Sequence, residues 1–142
     1  MSTFADSSAL VKLYADEPGS DDVRTHLSLI VSALARVEVP AALWRKVGTG
    51  ALESTDAAVL TRAFEADRTG VLDRPPRFSV VAATGELLDR GARLVAVHPL
   101  RAYDAVQLAS AIAARRADPS CRRMLCMAGH LTRAAAAEGF HV

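Results

Sequence analysis

The stretch that decides the fold is TFADSSALVKLY, residues 3–14. Residues 3–5 suit a short buried strand, and the cluster Asp6-Ser7-Ser8 that follows favours the N-terminus of a helix. A short helix through Lys12 and Tyr14 is expected next. A buried strand that runs directly into a helix is the repeating unit of α/β proteins. This start therefore predicts an α/β fold.

The rest of the chain alternates between strand-like and helical patterns. Strands are predicted at residues 27–31, 78–82 and 124–127. Helices are predicted after Pro18-Gly19-Ser20, over 34–47, 54–68, 86–97 and 100–115, and through 134–137. The 34–47 helix carries an apolar stripe, and Pro40 is expected to bend it; the stripe consists of Leu34, Val37, Ala41 and Trp44. The alternation predicts a mostly parallel sheet covered by helices on both faces.

Length and composition fit one globular domain over residues 1–142, with 51% hydrophobic and 5% aromatic residues. Seventeen Lys and Arg against sixteen Asp and Glu give a net charge of +1. A polyanionic partner therefore has to be met by a local patch. Cys121 and Cys126 lack the spacing of metal or redox sites, so we interpret them as buried free thiols. No apolar run reaches the ~18–20 residues of a membrane span, and no leader pattern opens the sequence, so we expect a cytoplasmic protein.

Asp6 is the first candidate for a functional residue. In open α/β sheets, sites gather where strands end and the following helices begin, and Asp6 lies at such a point. An Asp between a strand and a helix is ordinarily an N-cap. Ser7 or Ser8 can serve as the cap instead, which would leave Asp6 free to face solvent or a metal. Both interpretations stay open on the sequence alone.

Asp104 is the second candidate because it lies on an apolar face of the 100–115 helix. Its stripe includes Leu100, Leu108 and Ala111, the side expected to face the sheet. A carboxylate there should not stay ionised without a partner. The structural alternative is an ion pair with Arg101 or Arg115 at the margin of that stripe.

Glu38 is the third acid, on a stripe with Leu34, Ala41 and Ala42, and it has Arg45 as an alternative ion-pair partner. Taken together, the three acids fit one chemistry. Mg²⁺ prefers oxygen ligands and is usually held by a few carboxylates, waters and substrate phosphate. A bound ion can polarise a phosphoryl oxygen and acidify a water. Converging carboxylates therefore indicate phosphodiester hydrolysis.

Three segments resemble the main motifs of PIN-domain toxins of the VapC type. They are Asp6-Ser-Ser-Ala-Leu-Val-Lys-Leu-Tyr, Ala35-Arg-Val-Glu38-Val-Pro-Ala-Ala-Leu and Leu100-Arg-Ala-Tyr-Asp104-Ala-Val-Gln-Leu-Ala. Their order and spacing agree with that family over essentially the whole chain. The resemblance implies a three-layer α/β/α sandwich and a Mg²⁺- or Mn²⁺-dependent endoribonuclease, usually a homodimer inhibited by a cognate antitoxin. It also implies that Asp6, Glu38 and Asp104 are catalytic metal ligands, with Ser8 a polar neighbour.

One position departs from that family. A fourth acid commonly follows the last strand in a pattern like Asp-x-x-Leu, which aligns with Ala128-Gly129-His130-Leu131. Asp118 is the nearest upstream acid, but it should lie at the opposite edge of the sheet. His130 suits Mg²⁺ badly and is interpreted as a surface residue. The alanine puts a second metal position in question.

Six cations are candidate RNA contacts, although solvated helix ends and loops explain them equally well: Arg45, Lys46, Arg115, Arg116, Arg122 and Arg123. The favoured hypothesis is the toxin endoribonuclease. An alternative, motivated by Ala128, is a catalytically impaired module that binds RNA or an antitoxin. A third is a structural α/β domain whose acids are caps and ion pairs, scattered over different faces.

Overall fold

A four-stranded parallel sheet forms the centre of the computed structural model, which describes residues 1–127 and 129–142. The strands are β1 (Thr3–Ala5), β2 (Leu29–Ser32), β3 (Phe78–Val81) and β4 (Arg123–Leu125). They lie in the order β3-β2-β1-β4, and every neighbouring pair is parallel. All carboxyl ends therefore meet at one edge. The predicted strands are confirmed, with ends displaced by a residue or two.

Helices connect the strands and cover both faces of the sheet. They are α1 (Ser7–Val11), α2 (Ser20–Thr25), α3 (Ala35–Gly48), α4 (Ser54–Thr69), α5 (Gly85–Val97), α6 (Ala102–Ala117) and α7 (Gly129–Ala137). The predicted end of α4 at Gly70 is confirmed. Gly70 has a φ of 78°, and a Cβ there would lie 2.9 Å from Pro76 Cδ, so glycine is required.

Two hydrophobic cores lie on opposite faces of the sheet, because successive strand residues point to opposite sides. Phe4 and Met124 belong to the core beneath α5, α6 and α7. Ala5 and Leu125, their neighbours in sequence, belong to the core beneath α1, α3 and α4. The fold is therefore the three-layer α/β/α sandwich that the resemblance implied.

The apolar stripe identified on α3 from the sequence is not the face that enters the core. The side chain of Val37 is 70% exposed and that of Trp44 45% exposed, whereas Ala35, Val39 and Leu43 are buried. Both sets recur at helical spacing, so periodicity alone does not choose between them. The helix continues through Pro40.

No helix in residues 1–127 or 129–142 combines the length and the apolar character that crossing a bilayer requires.

Candidate active site

Three acids lie near the carboxyl edge of the sheet. Asp6 comes directly after β1, Glu38 is in the first turn of α3, and Asp104 is in the first turn of α6. The charges of Glu38 and Asp104 both act on Asp6. The structure thus brings Glu38 and Asp104 into electrostatic range of Asp6, so the three acids are not scattered over different faces.

Asp6 is the N-cap of α1. Its Oδ1 accepts a 2.9 Å hydrogen bond from the backbone N–H of Ala9 and a 2.7 Å bond from Ser8 Oγ. The interpretation of Asp6 as the N-cap is confirmed, and the alternative cap by Ser7 or Ser8 is wrong, since both hydroxyls are used elsewhere. Within the described residues, no hydrogen bond uses Asp6 Oδ2. One carboxylate oxygen therefore caps the helix, and the other has no hydrogen-bond partner among the described residues.

Burial gives Asp6 an unusual pKa. The residue is only 4% exposed, and loss of solvation raises its pKa to about 6, although the bonds from Ser8 and Ala9 oppose the shift. The charges of Glu38 and Asp104 raise it further. No cation forms an ion pair with Asp6 in the part of the chain that the structure describes. A buried, unpaired carboxylate of this kind typically marks a functional position.

Glu38 is held by a small network that the sequence did not indicate. Its Oε1 accepts bonds from Gln107 Nε2 at 2.7 Å and Ser7 Oγ at 3.1 Å. Gln107 Nε2 also donates to Ser7 Oγ at 3.0 Å. The alternative considered for Glu38, an ion pair with Arg45, is absent from the described residues. Glu38 is therefore oriented by neutral donors and has no ion-pair partner among the described residues.

The side-chain oxygen of Gln107 is the second notable feature of this network. It is 2% exposed, and its Oε1 is buried without a hydrogen-bond partner among the described atoms. A buried amide oxygen left unpaired costs free energy and calls for an explanation such as a bound water or ion. Gln107 lies three residues after Asp104, so the helical spacing already placed both on one face of α6. That spacing was the signal that could have revealed it.

Asp104 is half-buried and makes no ion pair with Arg101 or Arg115 in the described structure. Arg115 instead lies over the ring of Phe140 at 4.1 Å and donates to the carbonyl of Glu138. The ion-pair alternative for Asp104 is therefore wrong.

The residues that follow β4 also contact the site. Ser8 Oγ accepts a 3.3 Å bond from the backbone N–H of Met127. Burial raises the pKa of the Cys126 thiol, and the charges of Asp6 and Asp104 act in the same direction. Cys126 is half-buried and Cys121 fully buried, and both are free thiols. Ala128, where a fourth acid was considered, lies outside the described residues.

A comparison with protein-family models decides the family. The model of the PIN domain matches residues 3–117, which contain all three acids. The chain belongs to the PIN domain family. PIN domains are generally nucleases and usually use divalent metal ions. No curated protein matches this chain.

This PIN domain has a cleft of about 390 Å³ beside the acids. Ser7, Ser8 and Glu38 line its polar side. Its other walls are mostly apolar and consist of Leu34, Val37, Ala41, Ala42, Tyr103 and Arg45. Leu34, Val37 and Ala41 of the α3 stripe therefore face the cleft, whereas Trp44 does not line it.

The six predicted RNA contacts divide between the two ends of the PIN domain. Arg45 lines the cleft, and Lys46 lies beside it in an ion pair with Glu17 at 2.6 Å. The other four lie near the C-terminus of α6 or the start of β4, at the amino edge of the sheet: Arg115, Arg116, Arg122 and Arg123. Of these six cations, Arg45 and Lys46 are therefore the two that lie near the acids.

Asp118 lies at that same amino edge, as predicted. It accepts hydrogen bonds from Ser2 Oγ and the backbone N–H of Ser120, and the bond from Ser2 is the main reason its pKa is lowered. His130 is exposed and lies 3.1 Å from an Arg133 nitrogen. Neither residue joins the three acids.

Proposed function

We propose that this protein is a metal-dependent endoribonuclease that hydrolyses RNA phosphodiesters, with Asp6, Glu38 and Asp104 as catalytic metal ligands. The observation that carries the proposal is the buried Asp6 carboxylate. Among the described residues its Oδ2 accepts no hydrogen bond and no cation pairs with it, and two further acids lie within electrostatic range. A purely structural set of acids would be neutralised by ion pairs or solvent. Membership of the PIN domain family supports the same conclusion.

The donors fit Mg²⁺ or Mn²⁺. Carboxylate oxygens are the ligands that both ions prefer, and the unpaired Oε1 of Gln107 is a further oxygen beside them. In residues 1–127 and 129–142, no group of three or more His, Cys, Asp or Glu side chains is close enough to hold an ion by itself. Mg²⁺ is commonly held by one or two carboxylates, with water and substrate phosphate completing the shell. An open set of acids beside a cleft suits that mode.

The residues of the chain have separable roles in this proposal. Ser8 and the N-terminus of α1 fix one oxygen of Asp6, and Gln107 and Ser7 fix one oxygen of Glu38. When bound, the ion supplies a Lewis acid for the phosphoryl oxygen and a more acidic water. Hydrolysis would leave a 5′-phosphate and a 3′-hydroxyl.

We also propose the biological setting that the sequence resemblance implies. The protein would be the toxin of a type II toxin–antitoxin pair, acting as a homodimer and inhibited by a cognate antitoxin. The open cleft beside the acids supports this, because a partner that covered it would block RNA. The competing proposal, an RNA- or antitoxin-binding module with impaired catalysis, rests on Ala128.

Cleavage of a labelled RNA separates these proposals. The unmodified protein should cut RNA in Mn²⁺ or Mg²⁺ and not in EDTA, and the products should carry 5′-phosphates. Asp104→Asn should reduce the rate strongly, whereas the matched control Asp118→Asn at the opposite edge should not. Metal-independent cutting, or equal loss in both variants, would contradict the assignment. RNA binding without cleavage at any metal concentration would favour the impaired module.

A further inference from the structure

A groove along α5 and α6 carries three arginines that the proposed active site does not use. Two adjoining clefts, of about 460 Å³ and about 300 Å³, form this groove, and Arg90 and Arg116 line both of them. Arg93 lines the second cleft, together with the apolar side chains of Leu94 and Ile112. The lining of this arginine groove shares no described residue with the cleft beside the acids. It is therefore a separate surface of the protein.

The arginine groove has more positive than negative charge. Arg93 and Arg116 are exposed and form no ion pair within the described residues. Arg90 lies 3.8 Å from Glu86, which is close to the longest distance at which an ion pair is counted. The other acid in the lining, Glu138, is bonded to a histidine at 2.8 Å. Three arginines against two acids leave an excess of positive charge, which an anionic ligand would complement.

The shape of the arginine groove favours a polymer over an isolated anion. The two clefts are continuous because they share Arg90 and Arg116, and their lining extends from Thr84, the N-cap of α5, to Val97 at its end. A helix of that length spans about 20 Å. One phosphate would occupy only a small part of such a groove, whereas guanidinium groups spaced along it suit successive phosphates of a backbone.

Helix α6 connects the arginine groove with the proposed active site. Asp104 lies in its first turn and Arg116 in its last, and the helix rises about 18 Å between them. Helix α5 packs directly on the first half of α6, since a Cβ on Gly91 would lie 3.6 Å from the carbonyl oxygen of Ala105. A stacked strand advances ~3.4 Å per nucleotide, so this distance corresponds to about five nucleotides. An RNA held at the acids can therefore reach the groove with its flanking nucleotides.

We propose that Arg90, Arg93 and Arg116 form a second RNA-binding surface, which holds the phosphate backbone of the substrate about five nucleotides from the scissile bond. The inference rests on the proposed function and adds a binding determinant outside the active site. Contacts to phosphates position a nucleic acid without reading its bases. The arginine groove therefore selects for the length of RNA that flanks the cut and not for its sequence.

The test measures binding of fluorescent oligoribonucleotides of about 4 and about 16 nucleotides by anisotropy, in EDTA and in Ca²⁺. The double variant Arg93→Gln/Arg116→Gln should weaken binding of the longer RNA by roughly 2- to 30-fold, the range for loss of two exposed ion pairs. The magnitude of the slope of log affinity against log salt concentration should fall by about 1.4, because each contact to a single strand contributes about 0.7. Both arginines are exposed, so the variant should fold.

Two further variants separate a specific contact from general loss of charge or of packing. Arg62→Gln is the matched control for each single substitution, because Arg62 is an exposed arginine of α4, on the other face of the sheet, with no ion pair among the described residues. It should leave affinity unchanged. Arg93→Lys/Arg116→Lys retains both charges and should keep the salt slope of the unmodified protein.

The length of the RNA and the metal give two more comparisons. The glutamine double variant should lose less affinity for the shorter RNA in Ca²⁺, because that RNA cannot span the distance from the acids to the groove. For the longer RNA, the loss should appear in EDTA as well as in Ca²⁺, because phosphate contacts to arginine need no metal ion.

The inference would be overturned by unchanged affinity and salt slope in the glutamine double variant, by a loss in Arg62→Gln equal to that in Arg93→Gln, or by equal losses for short and long RNA. Unchanged RNA binding would leave the groove to an acidic protein partner. Failure of the proposed function is recognised separately, by the absence of RNA cleavage in Mn²⁺ by the unmodified protein, whatever its affinity for RNA.

Discussion

Replacing Asp6 by Asn should stabilise the metal-free protein near neutral pH, although it destroys the proposed metal site. Asp6 is buried, and its pKa rises from the ordinary value of 3.8 to about 6 in the folded protein. At about 1.36 kcal/mol per pKa unit, keeping this carboxylate ionised costs the folded state about 3 kcal/mol. Asn removes the charge but retains an oxygen that can cap α1 through Ala9. The expected gain in unfolding free energy is thus up to about 3 kcal/mol.

The sign of the pH dependence follows from the raised pKa. Between about pH 4 and pH 6 the folded state holds the Asp6 proton more often than the unfolded state does, so this residue's contribution to stability falls as pH rises. The difference between Asp6→Asn and the unmodified protein should therefore be small near pH 4 and largest above pH 6. Asp118→Asn is the matched control, because the pKa of Asp118 is lowered and its removal should give no gain at neutral pH.

Urea unfolding at pH 4.5 and pH 7.5 in EDTA measures these differences. A repeat at pH 7.5 in Mn²⁺ adds a second comparison, since an ion at 100 times its Kd stabilises a folded protein by about 2.7 kcal/mol. That increment should appear in the unmodified protein and be largely lost in Asp6→Asn. The reasoning would be refuted by an Asp6→Asn protein that is less stable than the unmodified one at pH 7.5, or by a difference that does not change with pH.

Four other substitutions test three separate parts of the account. Ala128→Asp should raise the rate of RNA cleavage at low metal concentration by restoring a fourth acid; no gain at any concentration would mean that position 128 does not face the metal. Gln107→Met removes the amide that orients Glu38 and should weaken Mn²⁺ binding in calorimetry by about 10- to 100-fold, and unchanged affinity would argue against that role. Leu43→Ala should cost about 2–5 kcal/mol of unfolding free energy, whereas Val37→Ala should stay within about 0.5 kcal/mol; equal costs would contradict the observed orientation of α3.

The order of strands and helices could be predicted because each has a local signal. The apolar start of β1 is followed at once by Asp6, and Gly70 ends α4 in a conformation that requires glycine. Alternation of such elements implies parallel strands, and parallel strands place their carboxyl ends together. Local patterns therefore sufficed for the architecture and for the choice of acids to consider.

Which helix face is buried could not be predicted in α3. Its two apolar stripes have the same period, and only the packing of the sheet and its neighbours shows that Val39 and Leu43 belong inside while Val37 faces the cleft. The network around Glu38 was missed for a related reason. Ser7 and Gln107 are 100 residues apart in sequence, and nothing local reveals that they meet.

Anomalous diffraction from crystals grown with Mn²⁺ tests the central claim most directly, because it locates the ion independently of any activity. The account predicts an anomalous peak within coordination distance of Asp6 Oδ2 and of carboxylate oxygens of Glu38 or Asp104, at the carboxyl edge of the sheet. The account would be contradicted if crystals at a saturating Mn²⁺ concentration showed no anomalous peak at this position, or a peak only at other acids such as Asp118.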